Sequence, residues 1–71
     1  MEDFNSSYGN VQISYKNSKI VISFDAERQE KLGRTEAELI MQEYVDSLGE
    51  NAEVGVAYET QKGYYAAQVL D

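Results

Sequence analysis

The chain of 71 residues is near the lower size limit for a domain that folds alone, although its 42% apolar residues, including six tyrosines and two phenylalanines, suffice for a globular core. Thirteen acidic and six basic residues give a net charge of −7, which opposes direct binding to nucleic acid. Because cysteine and histidine are both absent, the composition excludes disulfides, thiolate chemistry, Ser-His triads and most zinc sites.

Residues 11–24 have the pattern of a β-hairpin, preceded by a lead-in of turn formers over residues 1–10. Apolar and polar residues alternate in both halves of the hairpin, which is the period of a half-buried strand. The Asn17-Ser18 pair between the halves is a two-residue connection, and asparagine tolerates the positive φ that such turns need.

Residues 25–49 have a helical pattern. Asp25 is a suitable N-cap and Gly33 a suitable end for a first, short helix. Thr35 and Glu38 then have the spacing of a capping box, and apolar residues follow at helical spacing until Gly49, which favours a left-handed stop. We therefore predict one main helix that presents a single apolar arc to the core.

Residues 53–70 predict a second hairpin with its turn at 61–63. In its first strand Val54, Val56 and Tyr58 share one face and small residues share the other. The predicted fold class is α+β, in the order β-β-α-β-β, with an antiparallel sheet of two hairpins and one main helix packed on one face. We expect a single domain over residues 1–71.

The segment from residue 35 to residue 60 holds seven carboxylates and no lysine, arginine or histidine. At about 100° per residue, Glu43, Asp46 and Glu50 fall within about 80° of Glu36 on the main helix, on the side away from the apolar arc. Like charges three or four residues apart cost about 0.2–0.5 kcal/mol per pair. Such a column does not favour helix stability, and it indicates either a binding surface or a solvated face kept for solubility.

The binding interpretation is a surface that mimics DNA. Carboxylates about 5–6 Å apart along a helix are spaced similarly to backbone phosphates, so they suit the lysines and arginines of a DNA-binding protein. Leu39, apolar and placed among them, would add contact area that ion pairs alone cannot supply. The predicted partner-binding residues are Glu36, Glu38, Leu39, Glu43, Asp46, Glu50, Glu53 and Glu59.

Other site chemistries have little support in the sequence. The acids at 46, 50 and 53 lack the spacing of a calcium-binding loop, so no metal or cofactor is expected. So short a chain leaves little room for a substrate pocket, and we expect no enzymatic activity. The Tyr64-Tyr65 pair could be a stacking platform for bases, but in a strand one ring faces the core and the other faces outward.

The stretch "KIVISFDAERQEKLGRTEAELIMQEYVDSL" (19–48) resembles the ribbon-helix-helix family of DNA-binding dimers. The likeness consists of a strand, a helix that starts at an aspartate, and "GRTEAELI" at the start of a second helix. It covers under half of the chain, and the first helix is about two turns short. This resemblance implies a small regulator that binds DNA as a dimer, which we keep as an alternative.

The whole-chain profile resembles the phage-encoded acidic DNA-mimic inhibitors made early in infection, most of all those directed against the bacterial histone-like nucleoid protein HU. The likeness rests on size, acidity and the acidic run of 36–59. It implies a nucleoid-associated protein of host takeover that occupies the DNA-binding surface of HU and displaces DNA. Because no run approaches the roughly 20 apolar residues of a membrane span, we expect a cytoplasmic protein that binds no membrane, and the net charge predicts no direct binding to nucleic acid. Restriction, CRISPR and DNA-repair enzymes are alternative targets, and so small a core favours a homodimer.

Overall fold

A computed structural model describes residues 1–24 and 33–70 of the chain. In these residues one helix and six strands form an α+β fold, as predicted. The elements in chain order are β1 (Glu2–Ser6), β2 (Gly9–Lys16), β3 (Lys19–Ser23), α1 (Arg34–Ser47), β4 (Glu53–Val54), β5 (Tyr58–Gln61) and β6 (Tyr64–Leu70).

All six strands belong to one antiparallel sheet in the order β1-β2-β3-β6-β4, with β5 also paired to β6. The predicted first hairpin is confirmed: β2 pairs with β3, and both turn residues, Asn17 and Ser18, have positive φ. The lead-in over residues 1–10 needs correction, because those residues form β1 and the start of β2. The sequence does not predict β1, because its residues are mostly polar and show little alternation of apolar and polar side chains.

The main helix is confirmed, but it begins earlier than predicted. Gly33 is its N-cap, and the Glu36 side chain accepts a hydrogen bond from the Gly33 N–H at 2.8 Å, so Glu36, rather than Glu38, occupies the capping position. At the other end Gly49 has φ of +78° and donates its N–H to the Asp46 carbonyl, which is the predicted left-handed stop.

The core lies between α1 and one face of the sheet. The helix contributes Ala37, Ile40, Met41 and Val45, and the sheet contributes alternate residues of its strands, including Ile13, Ile20 and Ile22, all of them fully buried. Burying a side chain of this size contributes about 1.5–3 kcal/mol. The other face of the sheet, which we call the outer face, has no described helix or strand packed over it.

The first strand of the predicted second hairpin (53–70) is interrupted in the structure. β4 and β5 both pair with β6, but residues 55–57 between them do not continue the strand. The residues that face the core also differ from the prediction, because Ala57 is buried whereas Val56 is 72% exposed. Two helix side chains hold this segment against the sheet, and a two-residue periodicity cannot anticipate them.

The first short helix predicted over residues 25–33 lies outside the described residues except for Gly33. β3, the strand at the start of the ribbon-helix-helix resemblance, is paired on both edges within this chain, with β2 and with β6.

Candidate functional site: an acidic helix face

The candidate site lies on the side of α1 that faces away from the sheet, which we call the crest. Thr35, Leu39 and Asp46 are exposed and point away from the sheet, while the neighbouring acids lie on the two flanks of the helix. Leu39 is 48% exposed at the centre of the crest. Leu39 is therefore an exposed apolar side chain with charged residues around it.

On the flank toward β1, Glu43 is fixed by the loop between β1 and β2. Its Oε1 accepts a hydrogen bond from the Ser7 backbone N–H at 3.0 Å and from the Ser7 hydroxyl at 3.1 Å. Glu43 is half-buried as a residue, and its carboxylate cannot rotate without losing both bonds. The sequence suggested a purely solvent-facing charge, whereas the structure adds a structural role.

On the flank toward β4, two side chains of α1 bind the backbone of the segment before β5. Gln42 donates to the Ala52 carbonyl at 3.1 Å and accepts from the Val54 N–H at 2.9 Å. Glu38 accepts from the Ala57 N–H at 2.8 Å through Oε2. Glu38 therefore lies on the opposite flank from Glu43, and the predicted acids do not form one straight column.

The remaining predicted acids differ in where they point. Asp46, which accepts a hydrogen bond from Gln42 at 3.0 Å, and Glu50 are exposed at the end of α1. Glu59 is exposed on β5 and pairs with Tyr65, which places it on the helix side of the sheet. Glu53 pairs with Leu70 and belongs to the outer face, so it is separate from the helix face.

Within the described residues, no ion pair offsets the negative charge of the helix face. Among residues 1–24 and 33–70 the cations are Lys16, Lys19, Arg34 and Lys62, and none of them forms an ion pair with a described carboxylate. Arg28 and Lys31, the other basic residues, lie outside the described part. We call the set of Glu36, Glu38, Leu39, Glu43, Asp46, Glu50 and Glu59 the acidic face.

An aromatic cluster that the sequence analysis missed supports the C-terminal half of α1. Tyr44 meets Phe4 edge-on at 5.2 Å between ring centroids and Tyr15 at 6.5 Å. The Tyr44 hydroxyl donates a hydrogen bond to the Glu2 carboxylate, and this bond, burial and the Glu2 charge together raise the pKa of Tyr44. The sequence signal for this cluster is Phe4, an aromatic residue that faces inward between polar neighbours in β1.

The described residues contain no group of three or more acidic side chains placed to hold a metal ion. In the same part of the chain, no helix has the length and apolar character needed to cross a membrane. Tyr65 packs against Phe24 at 5.8 Å while Tyr64 belongs to the outer face, which confirms the expected division of this tyrosine pair.

Comparison with protein-family models, with curated proteins and with solved structures finds no significant match for this chain.

Proposed function

We propose that this chain is a non-enzymatic, acidic DNA-mimic protein that binds the basic DNA-binding surface of a bacterial DNA-binding protein and blocks its access to DNA. The nucleoid protein HU is the preferred target, in the bacterial cytoplasm during phage infection. The observation that carries the proposal is the acidic face, in which carboxylates surround an exposed leucine without any described ion pair.

The hydrogen bonds within the acidic face support this function, since a mimic of DNA needs charges at fixed positions. Glu36, Glu38 and Glu43 each accept a bond from a backbone N–H, and those N–H groups belong to three different parts of the fold. Carboxylates held in this way lose little side-chain entropy on binding, which is a cost that ordinary surface glutamates bear. A face kept only for solubility has no such requirement.

The expected binding mode is electrostatic steering followed by apolar contact. Unpaired carboxylates raise the rate of encounter with a basic surface, and salt screens that attraction over about 8 Å at physiological ionic strength. Leu39 then fills an apolar depression between the partner's lysines and arginines. Affinity should therefore fall with added salt but keep a component that depends on Leu39.

Direct binding to purified HU, measured by isothermal titration calorimetry at low and high salt, tests the proposal. Leu39→Ser should weaken binding roughly tenfold, the loss expected when an anchor contributes about 1.4 kcal/mol. Leu48→Ser is a matched control, because Leu48 is similarly exposed at 50% but lies beyond the crest at the helix end. Equal affinities for both variants and the wild type would contradict the assigned face.

Restriction, CRISPR and DNA-repair enzymes remain alternative targets, because each offers a basic DNA-binding cleft to the same acidic face. A panel of such proteins in the same titration distinguishes these targets from HU. If one of them binds, and Leu39→Ser weakens that binding to the same extent, the DNA-mimic function stands and that protein replaces HU as the target.

A further inference from the structure

The outer face of the sheet is a second surface with a different character from the acidic face. The strand registers place Val21, Ala66 and Tyr58 side by side across β3, β6 and β5, with Tyr64 two residues before Ala66 on β6. Tyr58 is 51% exposed, and Leu70, at the end of β6, is 56% exposed. Val21, Tyr58, Tyr64 and Ala66 form a short apolar strip, which the exposed Gln68 separates from Leu70.

Ala66 marks the centre of this strip. It is fully buried, yet it does not belong to the core cluster between α1 and the sheet. Val21 on β3 and Tyr58 on β5 are its direct neighbours on the outer face. An exposed apolar patch on a sheet in so small a protein is commonly covered by a partner.

The charges beside the strip are opposite on its two sides. On the β3 side, Lys16 lies directly across from Lys19, an arrangement that is unfavourable within one chain. These lysines, with Ser14, Asn17 and Val21, line an open concavity of about 390 Å³. On the other side of β6, β4 carries Glu53, which is exposed and pairs with Leu70.

We propose that a second copy of this chain packs on the outer face, with a two-fold axis running along β6. A rotation about this axis leaves each residue at the same height along β6. It places the β3 side of one copy opposite the β4 and β5 side of the other.

The rotation places Val21 of one copy over Tyr58 of the other, because both pair with Ala66. Lys19 pairs with Gln68 and Glu53 with Leu70, so the axis brings Lys19 to the same side as Glu53 of the other copy, two residues away along the strand. The surface therefore sets apolar residues against apolar residues and lysine near glutamate, a self-complementary arrangement that a two-fold dimer requires.

The sheets of the two copies would lie about 10 Å apart, as in a β-sandwich, with both copies of α1 on the outside. If the proposed function holds, the dimer presents two acidic faces in opposite directions and links two partner molecules. Dimerisation itself is measured without any partner, so its failure and the failure of the mimic function are distinguishable.

Sedimentation equilibrium of the full chain over a range of concentrations tests the dimer. The expected species has twice the 8.0 kDa mass of the chain. Lys19→Glu and Glu53→Lys should each weaken association about tenfold, because each change places like charges across the interface twice. The double variant Lys19→Glu with Glu53→Lys should restore it, since the pair is then only reversed.

Circular dichroism of each variant controls for folding, and both substituted side chains are exposed. Tyr58→Glu is a second, charge-independent variant that should give a monomer, because it places a carboxylate in the apolar strip. A wild-type chain that stays monomeric at millimolar concentration overturns the proposal. An association that none of these variants changes also overturns it and assigns the contact to another surface.

Discussion

Glu43 on the helix binds Ser7 in the loop between the first two strands, accepting one hydrogen bond from its backbone N–H and one from its hydroxyl. These residues are 36 positions apart in the chain. The contact joins a carboxylate of the acidic face to the sheet edge formed by β1 and β2. Glu43 therefore contributes both a negative charge to the acidic face and two hydrogen bonds to the fold. An informative variant has to remove one of these contributions and keep the other.

Replacing Glu43 with alanine should lower the free energy of unfolding by about 0.5–1.5 kcal/mol, because the Ser7 N–H and hydroxyl lose their acceptor. Glu43→Gln keeps an acceptor oxygen at the same place and removes only the charge, so it should stay close to the wild type in stability. Urea denaturation of both variants measures the difference. A glutamine variant as unstable as the alanine variant would mean that charge, not the hydrogen bonds, holds the loop.

Gln42 should contribute more to the free energy of unfolding than a side chain on the flank of a surface helix usually does. Gln42→Ala leaves the Ala52 carbonyl and the Val54 N–H without their partner, at a cost of about 1–3 kcal/mol. Gln42→Glu keeps the acceptor for Val54 but loses the donor for Ala52, so its stability should be intermediate. Hydrogen exchange at the Val54 amide measures the local stability of this segment. An unchanged exchange rate in Gln42→Ala would argue against a stabilising role for the two Gln42 hydrogen bonds.

Gly49→Ala tests the stop signal of the helix. A side chain at φ of +78° is strained, and an added Cβ would meet nothing within 4 Å, so the effect should come from the backbone alone. We expect a loss of about 1 kcal/mol in the free energy of unfolding. Gly49→Asn should lose less, since asparagine tolerates this conformation better. Equal stability of all three proteins in thermal melts would show that the left-handed stop is not needed.

Tyr44 should make the protein sensitive to alkaline pH. Its folded-state pKa is raised above the ordinary 10.0 by its hydrogen bond to Glu2, by burial and by the Glu2 charge. The group therefore contributes stability that is fully present below the unfolded pKa and is lost as pH rises through the folded pKa.

Absorbance titration of tyrosinate, as a difference between the wild type and Tyr44→Phe, isolates this group from the other five tyrosines. Glu2→Gln should move the pKa of Tyr44 back toward its ordinary value. A difference titration that is the same with and without the Glu2 carboxylate would refute this pairing.

Much of the fold could be predicted from periodicity and from turn residues. The hairpin around Asn17-Ser18, the main helix and its stop at Gly49 all depend on local signals, and local signals are visible in the sequence. β1 was missed because only Phe4 and Ser6 in it are turned inward enough to lose exposure, so its alternation is weak. The interruption after β4 was missed because long-range hydrogen bonds from Gln42 and Glu38 decide it.

The acidic face was predicted only in outline. Helical spacing correctly assigned Leu39 and Asp46 to the exposed crest, but it could not show that Glu38 and Glu43 bind backbone groups on opposite flanks. Glu53 was grouped with the helix by proximity in sequence, whereas the register with Leu70 turns it to the outer face. Which acids act together depends on tertiary structure, and a run of like charges does not reveal that.

Displacement of fluorescently labelled duplex DNA from HU tests the central claim most directly. The wild-type chain should release the DNA, and Asp46→Lys, which reverses a charge on the crest, should need roughly tenfold more protein. Asp3→Lys makes the same change in net charge on the outer face, next to Gln12 on β2, and should act like the wild type. If the wild type leaves HU bound to DNA, or if the two variants lose activity equally, the acidic face is not the binding surface.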